Sequence, residues 1–241
     1  MRYFGLLPLL ALAACGDGTT GASSSPSAPV AAVQAPAGTT WTETVRKTDE
    51  GHLMGNPDAP IKLVEYGSRL CPTCGRLATE GLKPLTEKYV ASGKVSFEYR
   101  EYLVHGAPDL PPTLLGNCVD DAAFFPLLEQ MYVNQSAFLD KLQAASPRLQ
   151  QQIQAASPVE AVRLMAEQMG MIEFVKQRGL PEPRARGCLA DIAQINRWTK
   201  QTGDKSADGS VTGTPTLLIN GKKIDAVTWD QLEPALKNAG A

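Results

Sequence analysis

Residues 61–74 read IKLVEYGSRLCPTC, and their reading sets the fold. Ile61–Tyr66 is apolar and rich in β-formers, which predicts a buried strand. Cys71-Pro72-Thr73-Cys74 then opens a segment, Cys71–Ser92, whose pattern is helical and is interrupted at Pro84. Lys94–Val104 (KVSFEYREYLV) alternates as a second strand. Strand, helix and strand in this order predict a parallel βαβ unit with a right-handed crossover.

Outward from this unit the chain changes character. Trp41–Pro60 is polar and irregular, a lead-in with at most one short strand. Pro112–Lys200 carries Leu, Met and Ala at helical spacing, as in Val162/Met165/Ala166/Met169, punctuated by Pro147, Pro158 and Pro181. Four to six short helices are expected there, one of them capped by Ser157 with Pro158 in its first turn. Thr216–Asn220, the turn Asn220-Gly221 and Lys222–Asp225 predict a hairpin. Thr228–Ala239 predicts a closing helix.

The 241 residues are 43% hydrophobic, 20% charged and 6% aromatic, enough apolar material for a packed core. A formal charge of −2 gives no electrostatic footprint for nucleic acid. His52 and His105 leave little room for a His-rich metal site. No apolar run reaches the ~20 residues of a membrane span.

The first residues read as an address. Arg2 precedes an apolar run, Tyr3–Ala14, that ends at Leu12-Ala13-Ala14-Cys15. This tetrapeptide resembles a bacterial lipobox, in which the cysteine is lipidated; an ordinary signal peptide with Cys15 incidental is the alternative. Residues 16–40 are almost entirely Gly, Ala, Ser, Thr and Pro, and predict a flexible tether of roughly 25–30 Å. Four cysteines then remain in an exported protein.

Cys71 stands where a helix starts. Free backbone amides and the positive end of the helix dipole there favour thiolate over thiol. Cys74 lies one turn deeper and can reach the first sulfur. The expected division is an exposed Cys71 that exchanges with substrate and a buried Cys74 that resolves the mixed disulfide. Zinc, a purely structural disulfide and two free thiols are the other readings of the pair. Zinc would need two further ligands, for which no second Cys-x-x-Cys or His pair exists.

A second motif, Gly213-Thr214-Pro215-Thr216, enters the hairpin. Together with GNPDAPIKLVEYGSRLCPTC it resembles the DsbA-like thioredoxin-fold proteins over about residues 55–240. The resemblance implies an α/β thioredoxin fold with an inserted all-helical domain. Residues 1–15 would be the leader, 16–40 the linker, 41–111 and 201–241 the two parts of the thioredoxin domain, and 112–200 the insertion.

It further implies a protein disulfide oxidoreductase. Cys71 would be the nucleophile, Cys74 its partner and Pro215 a cis-proline beside them. Thr214 would offer backbone groups to an extended substrate, with Pro72 and Thr73 flanking the sulfurs. Glu65 matches the family's buried acid, which can accept a proton from Cys74 during resolution; a solvated or salt-bridged strand glutamate is the alternative. Strong oxidants of this family carry His where this chain has Thr73, so a milder oxidant is expected.

Cys118 and Cys188, near the two ends of the helical block, are expected to pair as a structural disulfide, with free thiols or a second redox pair as alternatives. The implied role is an oxidase of reduced or unfolded cell-envelope proteins. It would be periplasmic, held to the membrane by Cys15, monomeric, reoxidised by a DsbB-like membrane quinone reductase, and without metal or organic cofactor. A reductase or isomerase of the same fold and a non-catalytic client-binding lipoprotein are the rivals. Asn134-Gln135-Ser136 fits a glycosylation acceptor without significance in a bacterium, Met165, Met169 and Met171 read as core, and His105 receives no role.

Overall fold

The computed structural model describes Met1 and residues 27–241; the expected leader, Cys15 and the first part of the linker lie outside the described residues. One sheet organises the described chain. Its strands are β1 (Val45–Lys47), β2 (Gly51–Met54), β3 (Ile61–Gly67), β4 (Val95–Glu101), β5 (Thr216–Ile219) and β6 (Lys222–Ile224), in spatial order β1-β2-β4-β3-β5-β6. β3 and β4 are parallel, as the βαβ reading requires, with Glu65 opposite Tyr99. The other pairs are antiparallel, and β5 lies against β3 with Glu65 opposite Leu217. Asn220 and Gly221 take positive φ (52° and 78°), the geometry a two-residue hairpin turn demands.

The lead-in holds two strands rather than one. All four residues of β2 are buried, although His52 among them is polar. Its ring stacks on Phe124 at 3.7 Å, and burial drives its pKa down to about 4, so it sits in the core uncharged. Tertiary packing, not an alternating pattern, makes this strand.

Helix α1 (Pro72–Pro84) fills the crossover. Pro84 does not kink it. The helix ends there and the chain continues as a π-helical turn, Leu85–Val90, in which Ala91 N donates to Thr86 O. The wider turn accommodates the amide that proline lacks.

Eight helices follow where four to six were expected: α2 (Leu110–Gly116), α3 (Asp121–Val133), α4 (Gln135–Gln143), α5 (Pro147–Ala155), α6 (Pro158–Met169), α7 (Met171–Lys176), α8 (Glu182–Leu189) and α9 (Ile192–Ala207). The excess comes from tight breaks. Gly170, at φ 73°, separates α6 from α7, and Asn134 separates α3 from α4. Ser157 caps α6 by accepting from Glu160 N, with Pro158 first in the helix. The helical stretch also overruns its expected bounds, since α2 begins at Leu110 and α9 reaches Ala207. Helix α10 (Trp229–Asn238) closes the chain.

Two cores result. One lies among the helices, around Leu115, Met131, Val162, Met165, Met169, Met171 and Trp198, so the methionines are interior. The other lies between the sheet and helices α1, α3 and α10. Helix α3 belongs to both: Leu127 and Met131 face the helical core, while Phe124, Phe125, Leu128 and Tyr132 face the sheet core. The insertion and the sheet domain therefore share a wall.

The expected linker is not free throughout. Ser27 N donates to Asn238 O, Val30 N to Gly240 O and Val33 N to Ser92 O, and Trp41 Nε1 donates to Val33 O. Composition alone showed no apolar face here. Backbone pairing, with Val30 packed on the sheet core, holds the segment instead.

Cys118 and Cys188 are disulfide-bonded, joining α8 to the turn after α2 across a sequence separation of 70. A loop of that length stabilises by roughly 4 kcal/mol on the chain-entropy account. The Cys118→Ala/Cys188→Ala protein is expected to lose about 2–4 kcal/mol in urea denaturation, the usual worth of a disulfide. Unchanged stability would mean that the closed loop constrains nothing in the unfolded chain.

Candidate active site

The site is built where β3 ends and α1 begins. Cys71 is the N-cap residue of α1, with extended backbone (φ −77°, ψ 117°), and Pro72 occupies the first helical position, where a missing N–H costs nothing. From the other side comes the loop entering β5, which carries the cis peptide Thr214–Pro215. The Cys71 thiol donates to Thr214 O at 3.3 Å, so the two motifs, 143 residues apart in sequence, meet at one sulfur.

Both cysteines are free thiols. Cys74 is fully buried and Cys71 is 6% exposed, so the outer sulfur shows only a sliver of surface, not the open exposure expected of it. The Cys71 pKa is lowered to about 5. The Cys74 thiol, hydrogen-bonded to the Cys71 sulfur, is the largest cause. Burial works against it, and the Thr214 side chain and the amides of Cys74 and Thr73 add smaller favourable contributions. The helix amides thus help, but the neighbouring thiol does most. Cys74 moves the other way: burial pushes its pKa well up, reinforced by its bond to Cys71 and by the charge of Glu65.

Glu65 lies on β3, buried at 5% exposure, and its Oε1 has no hydrogen-bond partner. Burial, and secondarily the Cys71 charge, raises its pKa to about 8. Glu65 and Tyr132 line one small apolar cavity of about 20 Å³ with Leu77, Phe97 and Leu217. Opposite Glu65 in the sheet stands Tyr99, whose hydroxyl is 3.0 Å from that of Tyr132. Burial raises both tyrosine pKa values, so these neighbours stay neutral. Burial beside neutral tyrosines, with the nearby Cys71 charge, keeps a proton on the acid at neutral pH.

The backbone leading into Cys71 is fastened by residues that sequence reading passed over. Arg69, 1% exposed, pairs with buried Glu101 at 2.7 Å, and Glu101 also accepts from Thr113 and Asn117 of the α2 region. Ser68 donates to Asp109 Oδ1 at 2.8 Å and accepts from Leu70 N. His105, given no role, packs its amide and ring on the same Asp109. Gln135 donates to Arg69 O and Cys71 O. The signal for Arg69 was a charge set between an apolar strand and the cysteines. Nothing in the residues around Gln135 pointed to the cysteine loop.

Among the described residues no group of three or more His, Cys, Asp and Glu side chains is placed to hold a metal, and no helix is long and apolar enough to cross a membrane.

Comparison with known proteins agrees with this geometry. The family described as thioredoxin matches residues 47–238. A protein-disulfide oxidoreductase of Rickettsia bellii is 22% identical over 206 residues, covering 86% of this chain and 71% of the relative. A disulfide bond formation protein D of Bacillus cereus is 29% identical over 188 residues, covering 76% of each. Among solved structures, a protein-disulfide isomerase from Novosphingobium aromaticivorans superposes with TM-score 0.73 at 27% identity, over 78% of this chain and 96% of that one. The α-DsbA1 of Wolbachia pipientis shares the fold, with TM-score 0.63 at 14% identity over 84% and 96%.

Proposed function

Since this chain belongs to the thioredoxin family, in its DsbA-like branch, and is a thiol–disulfide exchange enzyme, we propose that it works as an oxidase that passes the Cys71–Cys74 disulfide to reduced proteins of the cell envelope. The observation that carries this reading is the asymmetry of the pair. The Cys71 pKa is drawn down to about 5 and that of Cys74 is driven up, within reach of Thr214 and Pro215. A stabilised Cys71 thiolate favours the reduced enzyme, and a stable reduced form is what makes the disulfide oxidising.

In the proposed cycle a substrate thiolate attacks the Cys71 sulfur of the oxidised pair. The Cys71–Cys74 bond breaks, and Cys74 leaves as a thiolate that takes up a proton. Glu65, protonated at neutral pH and near Cys74, is the proposed donor. A second substrate thiolate then attacks the substrate sulfur of the mixed disulfide. The substrate leaves oxidised, and Cys71 leaves as the thiolate that its surroundings favour. In reoxidation Glu65 acts in reverse, accepting the Cys74 proton. Thr214 would pair with an extended substrate backbone, with Pro215, Pro72 and Thr73 shaping the contact. A DsbB-like quinone reductase is the proposed oxidant, and lipidated Cys15 the proposed anchor of a periplasmic monomer.

Thr73 supplies a hydroxyl and an amide where a histidine would add positive charge. With the Cys71 pKa at about 5, between values near 7 and 3.5 in thioredoxin and DsbA themselves, the potential should fall between about −270 and −120 mV. Titration against glutathione checks this, and a value at or above about −120 mV overturns the argument from Thr73. The name of the Novosphingobium relative favours a second reading, an isomerase. Trapping thiols in intact cells separates the two: an oxidase is mostly disulfide at Cys71–Cys74, an isomerase mostly dithiol.

A further inference from the structure

We infer that Gln135 is a positioning residue for Cys71, setting the reactivity of the outer sulfur from across the boundary with the helical block. The inference rests on the reading of Cys71 as the attacking sulfur. Gln135 is the first residue of α4, is 7% exposed, and lies 64 positions beyond Cys71 in sequence. Its Nε2 donates to Arg69 O at 3.0 Å and to Cys71 O at 2.9 Å. A neutral side-chain amide is the group that offers two N–H donors from one nitrogen without bringing a charge into the site. Both are spent on main-chain carbonyls flanking Leu70.

These two bonds hold the backbone that decides where the sulfur points. Cys71 keeps an extended conformation while its carbonyl already accepts the first helical bond from Gly75 N at 3.0 Å. In that conformation its side chain lies by the amides of Thr73 and Cys74. If Cys71 relaxed into the helix, the sulfur would swing away from these groups, because only a non-helical N-cap residue can turn its side chain back onto them. Gly75 makes room for the strut: a Cβ there would come within 2.9 Å of Gln135 Oε1.

Two variants test this, Gln135→Met, which keeps length and removes both donors, and Gly75→Ala, which leaves the amide in place but crowds it. The readout is the rate at which iodoacetamide alkylates Cys71 in the reduced full chain between pH 4 and 9, assigned by peptide mapping. Wild-type protein is expected to react far faster at pH 5.5 than an ordinary thiol does. In Q135M that rate is expected to fall about five-fold, the worth of one net hydrogen bond, with the pH midpoint moved upward and the disulfide correspondingly less oxidising. G75A is expected to shift the profile the same way by less, and it decides the matter if Q135M fails to fold. A variant with its denaturation transition intact and the wild-type pH profile overturns the role of Gln135 alone. A wild-type profile like that of free cysteine overturns the reading of Cys71 itself.

Discussion

Replacing Cys71 by Ser is expected to end disulfide transfer to a reduced, unfolded test protein, with a loss on the order of 10³-fold or more, the scale on which enzymes lose activity without their nucleophile. Replacing Cys74 by Ser is expected to do something different. The Cys71 thiolate can still attack a disulfide of an oxidised test protein, breaking it and releasing one of its sulfurs as thiolate, but no inner thiol remains to resolve the mixed disulfide, so a covalent complex accumulates. The distinction follows from depth: Cys74 is fully enclosed, while the Cys71 sulfur meets the Thr214 carbonyl at the rim. Non-reducing electrophoresis of both variants after incubation with an oxidised substrate is the measurement. A complex formed by C71S and absent from C74S would reverse the assignment.

Glu65→Gln is expected to stabilise the oxidised protein at neutral and alkaline pH while slowing exchange. Burial, the larger cause, holds the carboxyl pKa well above its ordinary 4.5, at about 8 with both cysteines reduced, and this cause persists when the Cys71 charge is lost on oxidation. Between those values the folded state holds a proton that the unfolded state releases. Stability therefore falls as pH rises, by up to about 1.4 kcal/mol per unit, and levels off above pH 8. Glutamine removes this loss, so the two proteins should match near pH 4 and diverge by a few kcal/mol at pH 8. The oxidised form is the one to measure, because in the reduced form Cys71 contributes with the opposite slope. Its lowered pKa adds stability that is complete above about 9 and is lost as pH falls toward 5. Urea midpoints across this range check the prediction, and a difference that stays flat with pH would show Glu65 to be an ordinary solvated carboxylate. The rate of reoxidation should drop about a hundred-fold in E65Q, within the span a positioned proton carrier contributes.

The parts of this protein that sequence makes legible are those where local chemistry and tertiary role coincide. Cys71 and Pro72 suit a helix start in any context, and the hairpin needs Asn220-Gly221 for backbone reasons alone. Ser157 with Pro158 likewise announces α6 by itself. Residues whose role depends on what packs against them stay hidden. His52 becomes a strand residue only because Phe124 covers its ring, and Arg69 becomes interior only because Glu101 neutralises it. Gln135 sits in a short polar stretch, and its function exists only once the turn between α3 and α4 is folded against the cysteine loop. The same holds for the cause of the Cys71 shift. The helix start is visible in the residues, but the dominance of the Cys74 thiol needs the three-dimensional arrangement of the two sulfurs.

The pinning of residues 27–33 has a consequence for orientation. These residues leave the body beside Ser92, Asn238 and Gly240, next to Lys94, whose carbonyl receives the amide that starts β3. Cys71 lies past the opposite end of that strand, a distance of roughly 20 Å at the rise of an extended chain. The described N-terminal segment and the reactive sulfur therefore stand at opposite ends of β3.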